Sequence, residues 1–234
     1  MNYIIETKSK CVNYDSELIG EIENKIKSGI TISDEELHIL LDNLCYKVRC
    51  KFTNDIDNFN FLYKCDTAQA IIHYYLESIG IKSYPCMTQN VITSSIVGHS
   101  FITIEYNGKY FLIDPTYRQF LMSSECNLER FIIHDSGMIL RTPDPGYYVR
   151  TEQYSMLCDF DYCGYHELNE EFACMYGDSF YNTKTGEYSL DYKTMNGKIY
   201  INSFSKGHEK LSKTKDELES MDLLVLPYNE QITL

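Results

Sequence analysis

The sequence predicts a mixed α+β protein in which helices pack on an antiparallel sheet. Two amphipathic helical patterns occupy residues 15–29 and the stretch after Ser33, and a largely apolar helical pattern covers residues 66–79. Further along, two strand patterns flank Asn107-Gly108. That dipeptide is typical of a tight β-hairpin, because a type I′ turn needs positive φ at both central residues.

The first two helices are predicted from apolar spacing and from capping residues. In residues 15–29 the apolar side chains fall on one side, and Gly29 is the expected end. Ser33 and Glu36 form a capping-box pattern, in which each side chain bonds the backbone N–H of the other residue. The helix that follows has apolar residues at helical spacing: Leu37, Leu40, Leu41, Leu44 and Val48.

The third helix is predicted to open at Cys65 and to run to Ile79, and Gly80 is the expected C′ residue that follows it. Apolar side chains cover most of its surface, which predicts a buried helix. Its polar residues form a stripe with a spacing of four: Gln69, His73 and Glu77. His73 lies about 12 Å along the helix from Cys65. That is too far for proton transfer, so we expect His73 on the solvent face.

The remaining elements follow weaker patterns. A strand or loop is expected at residues 83–93, short apolar runs cover residues 121–150, and residues 166–180 are predicted to form a helix. Three more elements are predicted near the C-terminus: a hairpin of residues 187–193 and 198–204, a charged helix at about 212–221, and a buried strand at 223–226.

A cluster of proline and glycine suggests the domain boundary. Pro143, Pro145 and Gly146 interrupt the pattern there. We therefore divide the chain into residues 1–145, with the N-terminal helices and the Asn107-Gly108 hairpin, and an α/β extension of residues 146–234. The extension is expected to pack on the first part, and one continuous domain is the alternative.

Three residues have types and positions that suggest a catalytic triad. Cys65 stands at a predicted helix start, where unpaired N–H groups and the helix dipole favour a thiolate. If Tyr106 pairs with Lys109, then His99 and Asp114 are diagonal neighbours on one face of the sheet. A carboxylate beside an imidazole fixes its tautomer and stabilises its charged form.

Each of the three has an ordinary structural explanation as well. Free cysteines are commonly small buried hydrophobic residues, and Cys65 is one of nine in the chain. His99 could be a hydrogen-bonded histidine on a sheet face. Asp114 precedes Pro115 and could simply end a strand and open a turn. Their occurrence in one arrangement favours the catalytic interpretation.

The order Cys65, His99, Asp114 resembles that of the transglutaminase-like branch of the papain-like thiol enzymes. The resemblance covers about residues 60–120. It includes Lys64-Cys65-Asp66 at a helix start, Gly98 to Phe101 on a strand, and Leu112-Ile113-Asp114-Pro115-Thr116 at the end of the next strand. The chain departs from the animal-type enzymes, which carry a tryptophan after the cysteine, since it contains no Trp.

The resemblance implies a papain-like core within residues 1–145 and a cysteine-dependent amide hydrolase or acyltransferase. The substrate is then a peptide or glutamine amide, attacked by Cys65 to form a thioester. A peptidase (thiol protease) or a deamidase is favoured over an amine-transferring transglutaminase. The alternative is a binding module on the same fold without turnover. Relatives place the second oxyanion donor shortly upstream of the cysteine, where the candidates are Asn58, Asn60 and Tyr63.

Composition excludes some functions and favours one compartment. With 34 acidic and 21 basic residues the net charge is −13, which disfavours nucleic acid and anionic membrane surfaces as partners. A protein or peptide substrate is the expected partner. The N-terminal residues lack a signal-peptide pattern, and the cysteine number is odd. We therefore expect a cytoplasmic protein, or one exported without an N-terminal signal peptide.

No cofactor or metal is expected. The best metal-site pattern is Cys158, Cys163, His166 and Cys174, with four, two and seven intervening residues. Structural zinc sites usually contain cysteine pairs two to four residues apart, in two such pairs, so the spacing here is poor. Arg118 is expected to pair with a core acid more readily than with a substrate carboxylate, and His134 is expected to be structural or exposed.

Overall fold

The structure, a computed structural model of the chain, describes slightly more than half of the residues. The described ranges are 3–6, 12–52, 64–88, 99–116, 130–133, 138–141, 148–150, 164–167, 181–182, 187–188, 190–195, 198–204, 211 and 213–228.

Four helices are present in these ranges. They are α1 (Ser16–Lys27), α2 (Asp34–Cys50), α3 (Cys65–Ile79) and α4 (Lys215–Ser220). Both sides of the predicted Ser33–Glu36 capping box are formed at the start of α2. Gly80 ends α3 at a φ of 95°, a left-handed conformation that glycine adopts without steric cost. The three helices predicted before residue 100 and the charged helix predicted at about 212–221 are thus confirmed, with small shifts at their ends.

The strands are short and antiparallel. In chain order they are β1 (Tyr3–Glu6), β2 (Ser83–Thr88), β3 (His99–Tyr106), β4 (Lys109–Ile113), β5 (Arg130–Ile133), β6 (Met138–Arg141), β7 (Tyr148–Arg150), β8 (Tyr165–Glu167), β9 (Tyr181–Asn182), β10 (Glu187–Tyr188), β11 (Leu190–Met195) and β12 (Lys198–Phe204). The predicted hairpin of the C-terminal third is confirmed as β11 and β12.

The sheet that concerns the site has the order β2-β3-β4-β8, with every neighbouring pair antiparallel. Pro85 lies in β2, an edge strand of this sheet, where a residue without an N–H is tolerated. A second four-stranded sheet has the order β1-β5-β6-β7. The α+β class, with helices packed on an antiparallel sheet, is therefore confirmed.

One hydrophobic core joins the helices to one face of the β2-β3-β4-β8 sheet. On that face Ile102, Ile104, Phe111 and Ile113 are buried against apolar residues of α1, α2 and α3. Most of α3 is buried, as its composition predicts. Within the described ranges, none of the helices has the length and apolar character needed to cross a bilayer.

Two predictions beyond residue 145 are wrong. Tyr165–Glu167 is not the start of a helix but strand β8, paired with β4; residues 168–180 lie outside the described ranges. Residues 223–226 form no strand. They are irregular backbone that follows α4, and Leu224 and Val225 are buried in the core. The proposed boundary at residue 145 stays a prediction.

Candidate active site

Cys65 is the first residue of α3 and is half-buried. The preceding residue, Lys64, has no acceptor atom in its side chain, and the helix start has no side-chain cap. The first N–H groups of a helix lack intrahelical partners, so the backbone N–H groups near Cys65 can serve another acceptor.

The residue after Cys65 connects the helix start to the sheet. The Cys65 thiol lies 4.0 Å from Oδ1 of Asp66. The Ser100 hydroxyl donates a hydrogen bond to the same Oδ1. Ser100 is buried in β3 and directly follows His99. The helix start that carries Cys65 is therefore joined to the strand start that carries His99.

Three further polar residues of α3 bond the sheet: Gln69, His73 and Glu77. Gln69 is buried, and its Nε2 donates to the carbonyl oxygens of Cys86 at 2.6 Å and Phe101 at 2.8 Å. We call these three residues and Asp66 the α3 seam, because together they form a polar row between α3 and the sheet.

The expectation that His73 lies on the solvent face is wrong. Its Nδ1 is 2.7 Å from the hydroxyl of Ser83 in β2, and burial lowers its pKa against an opposing effect of Glu77. Glu77 accepts a 2.7 Å hydrogen bond from the Ser83 N–H. The side chains of Gln69, His73 and Glu77 thus make their hydrogen bonds to residues of the sheet.

His99 opens β3, where its backbone pairs with Thr88. The predicted register is confirmed, since Tyr106 pairs with Lys109 and the ladder continues to Ile102 and Ile113. Continued by three residue pairs, it sets position 101 opposite 114 and position 99 opposite 116, so positions 99 and 114 share one face. The His99 side chain lies outside the described residues, so its contacts with Cys65 and Asp114 stay predictions.

The turn between the two strands has the predicted conformation and is held at its tip. Asn107 has a φ of 52° and Gly108 one of 71°, as a type I′ turn requires. The Asn107 side chain donates to the carbonyl oxygen of Ile32 at 3.1 Å, and the Ile32 N–H donates to the Tyr106 hydroxyl at 3.1 Å. Lys109 bonds Asp34 at 2.8 Å. The register is thus fixed from both the turn and its surroundings.

Asp114 is buried, with 1% of its surface exposed. Its Oδ1 accepts hydrogen bonds from the Thr116 hydroxyl at 2.9 Å and from the Thr116 N–H at 3.2 Å. Its backbone N–H donates to the Gly164 carbonyl at 2.7 Å. This is the turn that the structural interpretation of Asp114 predicted.

Sequence reasoning missed two residues that hold the Asp114 turn. Arg49 is fully buried in α2, and its Nε donates to the Pro115 carbonyl at 3.0 Å. Gly164 has a φ of 79°, and a Cβ there would meet the Pro115 Cα at 3.0 Å. A signal for Arg49 was available, because it stands four residues after Cys45, within the apolar side of α2.

The described parts of the site converge on one end of the sheet but lie on two sides of it. Cys65 is on the helix side, where Ser100 also lies. Position 114 shares the opposite face with Leu112 and Phe101, which are buried outside the helix-side core. A contact between Cys65 and His99 therefore has to be made around the sheet end where β3 begins.

The other cysteines and candidate residues fall into three groups. Cys45 and Cys86 are buried, and burial raises the pKa of the Cys86 thiol to about 12, so neither has the character of a nucleophile. Asn58, Asn60, Tyr63, Arg118, His134, Cys158, Cys163 and Cys174 lie outside the described residues. His166 is in β8, with Nδ1 2.6 Å from the Glu167 carbonyl.

Among the described residues no group of three or more His, Cys, Asp or Glu side chains is arranged to hold a metal ion. That no metal is needed stays a prediction. Comparisons of the chain with protein-family models, with curated proteins and with solved structures find no match.

Proposed function

We propose that this chain is a cysteine-dependent amide hydrolase or acyltransferase with a transglutaminase-like, papain-type core, acting on a peptide or glutamine amide through a Cys65 thioester. Hydrolysis by a peptidase or deamidase is favoured, and amine transfer is the variant in which an amine replaces water. The substrate is a protein or peptide. The excess of 13 negative charges favours neutral or basic substrates over nucleic acid or anionic membranes.

The single observation that carries the proposal is the hydrogen bond between Asp66 and Ser100. These residues directly follow Cys65 and His99, so the bond brings the neighbourhoods of nucleophile and base to one end of the sheet. The confirmed register of β3 and β4 gives position 114 the same face as position 99. Both features are what a Cys-His-Asp triad needs.

In the proposed mechanism His99 takes the proton of the Cys65 thiol, and the sulfur attacks the amide carbonyl carbon. The uncapped N–H at the helix start stabilises the oxyanion. His99 then protonates the leaving amine as the carbon–nitrogen bond breaks, which leaves the thioester. Water, deprotonated by His99, attacks the thioester and releases the acid and the thiol. Asp114 orients His99 and stabilises its charged form.

A binding module on the same fold is the alternative, and the reactivity of Cys65 discriminates between the two. Cys50 is an internal control, because both thiols are half-buried but Cys50 is the last residue of α2, whereas Cys65 is the first residue of α3. We expect a thiol electrophile at pH 7 to modify Cys65 at least about tenfold faster than Cys50, as measured by peptide mass spectrometry. Equal, slow modification of both would support the binding module.

A further inference from the structure

The α3 seam is bonded to the sheet at both ends through buried serines. At the N-terminal end Ser100 of β3 donates to Asp66. At the other end Ser83 of β2 bonds His73 and Glu77. Only the first bond is next to the proposed catalytic residues, since Asp66 adjoins Cys65 and Ser100 adjoins His99 in sequence.

The Asp66 carboxylate is not used to cap its own helix. The start of α3 has no side-chain cap, although an acidic side chain in the first turn is well placed to interact with the free N–H groups. Asp66 instead reaches to Ser100. This leaves the helix N–H groups near Cys65 to another acceptor, and it makes a hydrogen bond to a charged acceptor, which is among the stronger kinds.

The cost of this arrangement is electrostatic. Oδ1 of Asp66 lies 4.0 Å from the Cys65 sulfur, and a negative charge at that distance disfavours a thiolate. A side chain that activated Cys65 through its charge would be positive. The contribution of Asp66 to reactivity therefore has to be the position in which it holds the helix start.

We infer that Asp66 and Ser100 are a positioning pair, whose hydrogen bond fixes the helix start that carries Cys65 against the strand start that carries His99. The inference rests on the proposed function. The two faces of the sheet explain why such a pair would be needed, because Cys65 lies on the helix side whereas position 99 belongs to the other face.

Four variants separate the hydrogen bond from the charge. Ser100→Ala and Asp66→Ala remove the bond. Asp66→Asn removes the charge but keeps an amide oxygen that accepts from Ser100. Ser83→Ala is the matched control, because it removes a buried serine hydroxyl from the other end of the same helix–sheet contact. Asp66 is exposed, so its variants are expected to fold even if Ser100→Ala does not.

The measurement is the rate at which a small alkylating reagent modifies Cys65, followed from pH 5 to pH 10 in the full-length chain. A thiolate held by the histidinium of His99 reacts at about pH 6, where a free cysteine is protonated. His99→Ala defines the rate without that pair. We expect the wild type, Asp66→Asn and Ser83→Ala to react at about pH 6 at least about tenfold faster than His99→Ala.

In Ser100→Ala and Asp66→Ala, the alkylation rate of Cys65 at about pH 6 is expected to fall to that of His99→Ala. At pH 10, where the thiolate forms without the histidine, the same variants are expected to match the wild type. If both keep the wild-type rate at pH 6, the positioning role is wrong. If Asp66→Asn falls with Asp66→Ala, the charge and not the bond is responsible, and the inference is overturned. A wild type that matches His99→Ala at pH 6 overturns the proposed function and this inference together.

Discussion

The Asp114 carboxylate forms the turn that sequence reasoning set against a catalytic role. Its Oδ1 is engaged by Thr116 in this local turn, and the turn is held from outside by Arg49 and Gly164. In the proposed mechanism the same carboxylate also orients His99, and the support from outside would keep it in place for that task.

Replacement of Asp114 by asparagine tests that interpretation. The amide oxygen can still accept from Thr116, so we expect the free energy of unfolding to fall by only about 1–2 kcal/mol. Turnover is expected to fall by about two orders of magnitude or more, because the amide can stabilise the wrong tautomer of His99. The acylation rate and the unfolding midpoint are measured side by side.

Asp34→Asn is the control for this substitution. Asp34 is exposed and pairs with Lys109 at the hairpin tip, so its loss should leave the acylation rate close to that of the wild type. Equal acylation rates for Asp114→Asn and the wild type would show that Asp114 forms the turn but has no catalytic role.

Residue-level prediction from sequence worked where the chemistry is local. Cys65 at a helix start and Asn107-Gly108 in a turn follow from neighbouring residues. Arg49 could not be assigned a role in this way, because its acceptor is the carbonyl of Pro115, 66 residues away. The same holds for Gly164, whose need for glycine arises from the close approach of Pro115 and Cys45.

At the scale of elements, the hairpin of β3 and β4 was the most predictable part of the structure. Its turn residues fix its register, and the contacts of Ile32 with Tyr106 and Asn107 reinforce it. In contrast, β8 is three residues long and lies 52 residues beyond β4. A segment of three residues, Tyr-His-Glu, is too short to show a strand or helix period and does not reveal its partner.

The wrong strand prediction at residues 223–226 has a similar origin. An unbroken apolar run indicates burial, which is correct for Leu224 and Val225. It does not indicate hydrogen bonding to another strand. The chain leaves α4 with Asp222 at a φ of 53°, and the Leu223 N–H bonds the Leu218 carbonyl at 2.9 Å, so the segment is directed into the core by a helix C-cap.

An insertion tests how much the function depends on the hairpin register. One extra residue between Tyr106 and Asn107 is expected to exchange the two faces of one strand relative to the other. Position 114 would then no longer share a face with position 99. We expect catalysis to be lost to a greater extent than folding, although the tip contacts with Ile32 also weaken. Activity and circular dichroism provide the two readouts, and near-normal activity in a folded insertion variant would contradict the register argument.

The α3 seam makes the fold sensitive to acid. Burial lowers the pKa of His73 in the folded chain, whereas in the unfolded chain it is expected near the usual value of about 6.5. Below that pH the unfolded chain binds a proton that the folded chain resists. The stability contribution is therefore present above about pH 6.5 and is lost as the pH falls.

His73→Gln tests this, because glutamine can still bond Ser83 but does not titrate. We expect the free energy of unfolding to decrease less between pH 7 and pH 5 in the variant than in the wild type, as measured by urea denaturation at each pH. A parallel decrease in the two proteins would show that His73 is not the titrating group.

At the scale of the whole molecule, the C-terminal segment is bonded to the core by a buried acid. Glu23 of α1 has no exposed surface. It accepts from the Tyr75 hydroxyl of α3 at 2.7 Å and from the Tyr228 N–H at 2.9 Å. Lys51, the residue directly after α2, donates to the Asp222 carbonyl at 2.9 Å. The segment that follows α4 is thus bonded to α1 and to the end of α2, and α1 is bonded in turn to α3. These contacts do not involve Arg49 or the α3 seam.

The central claim is that Cys65 is a nucleophile that forms a thioester with an amide substrate, and the most direct test compares wild type with Cys65→Ala. Both proteins are incubated with a mixture of candidate proteins, and the products are read by mass spectrometry. A gain of one mass unit at glutamine indicates deamidation, new termini indicate proteolysis, and crosslinks indicate transfer. We expect one of these products from the wild type and none from Cys65→Ala, whose unfolding midpoint should be nearly unchanged because the replaced side chain is small and half-buried. Products formed by Cys65→Ala at a rate close to that of the wild type would contradict the account.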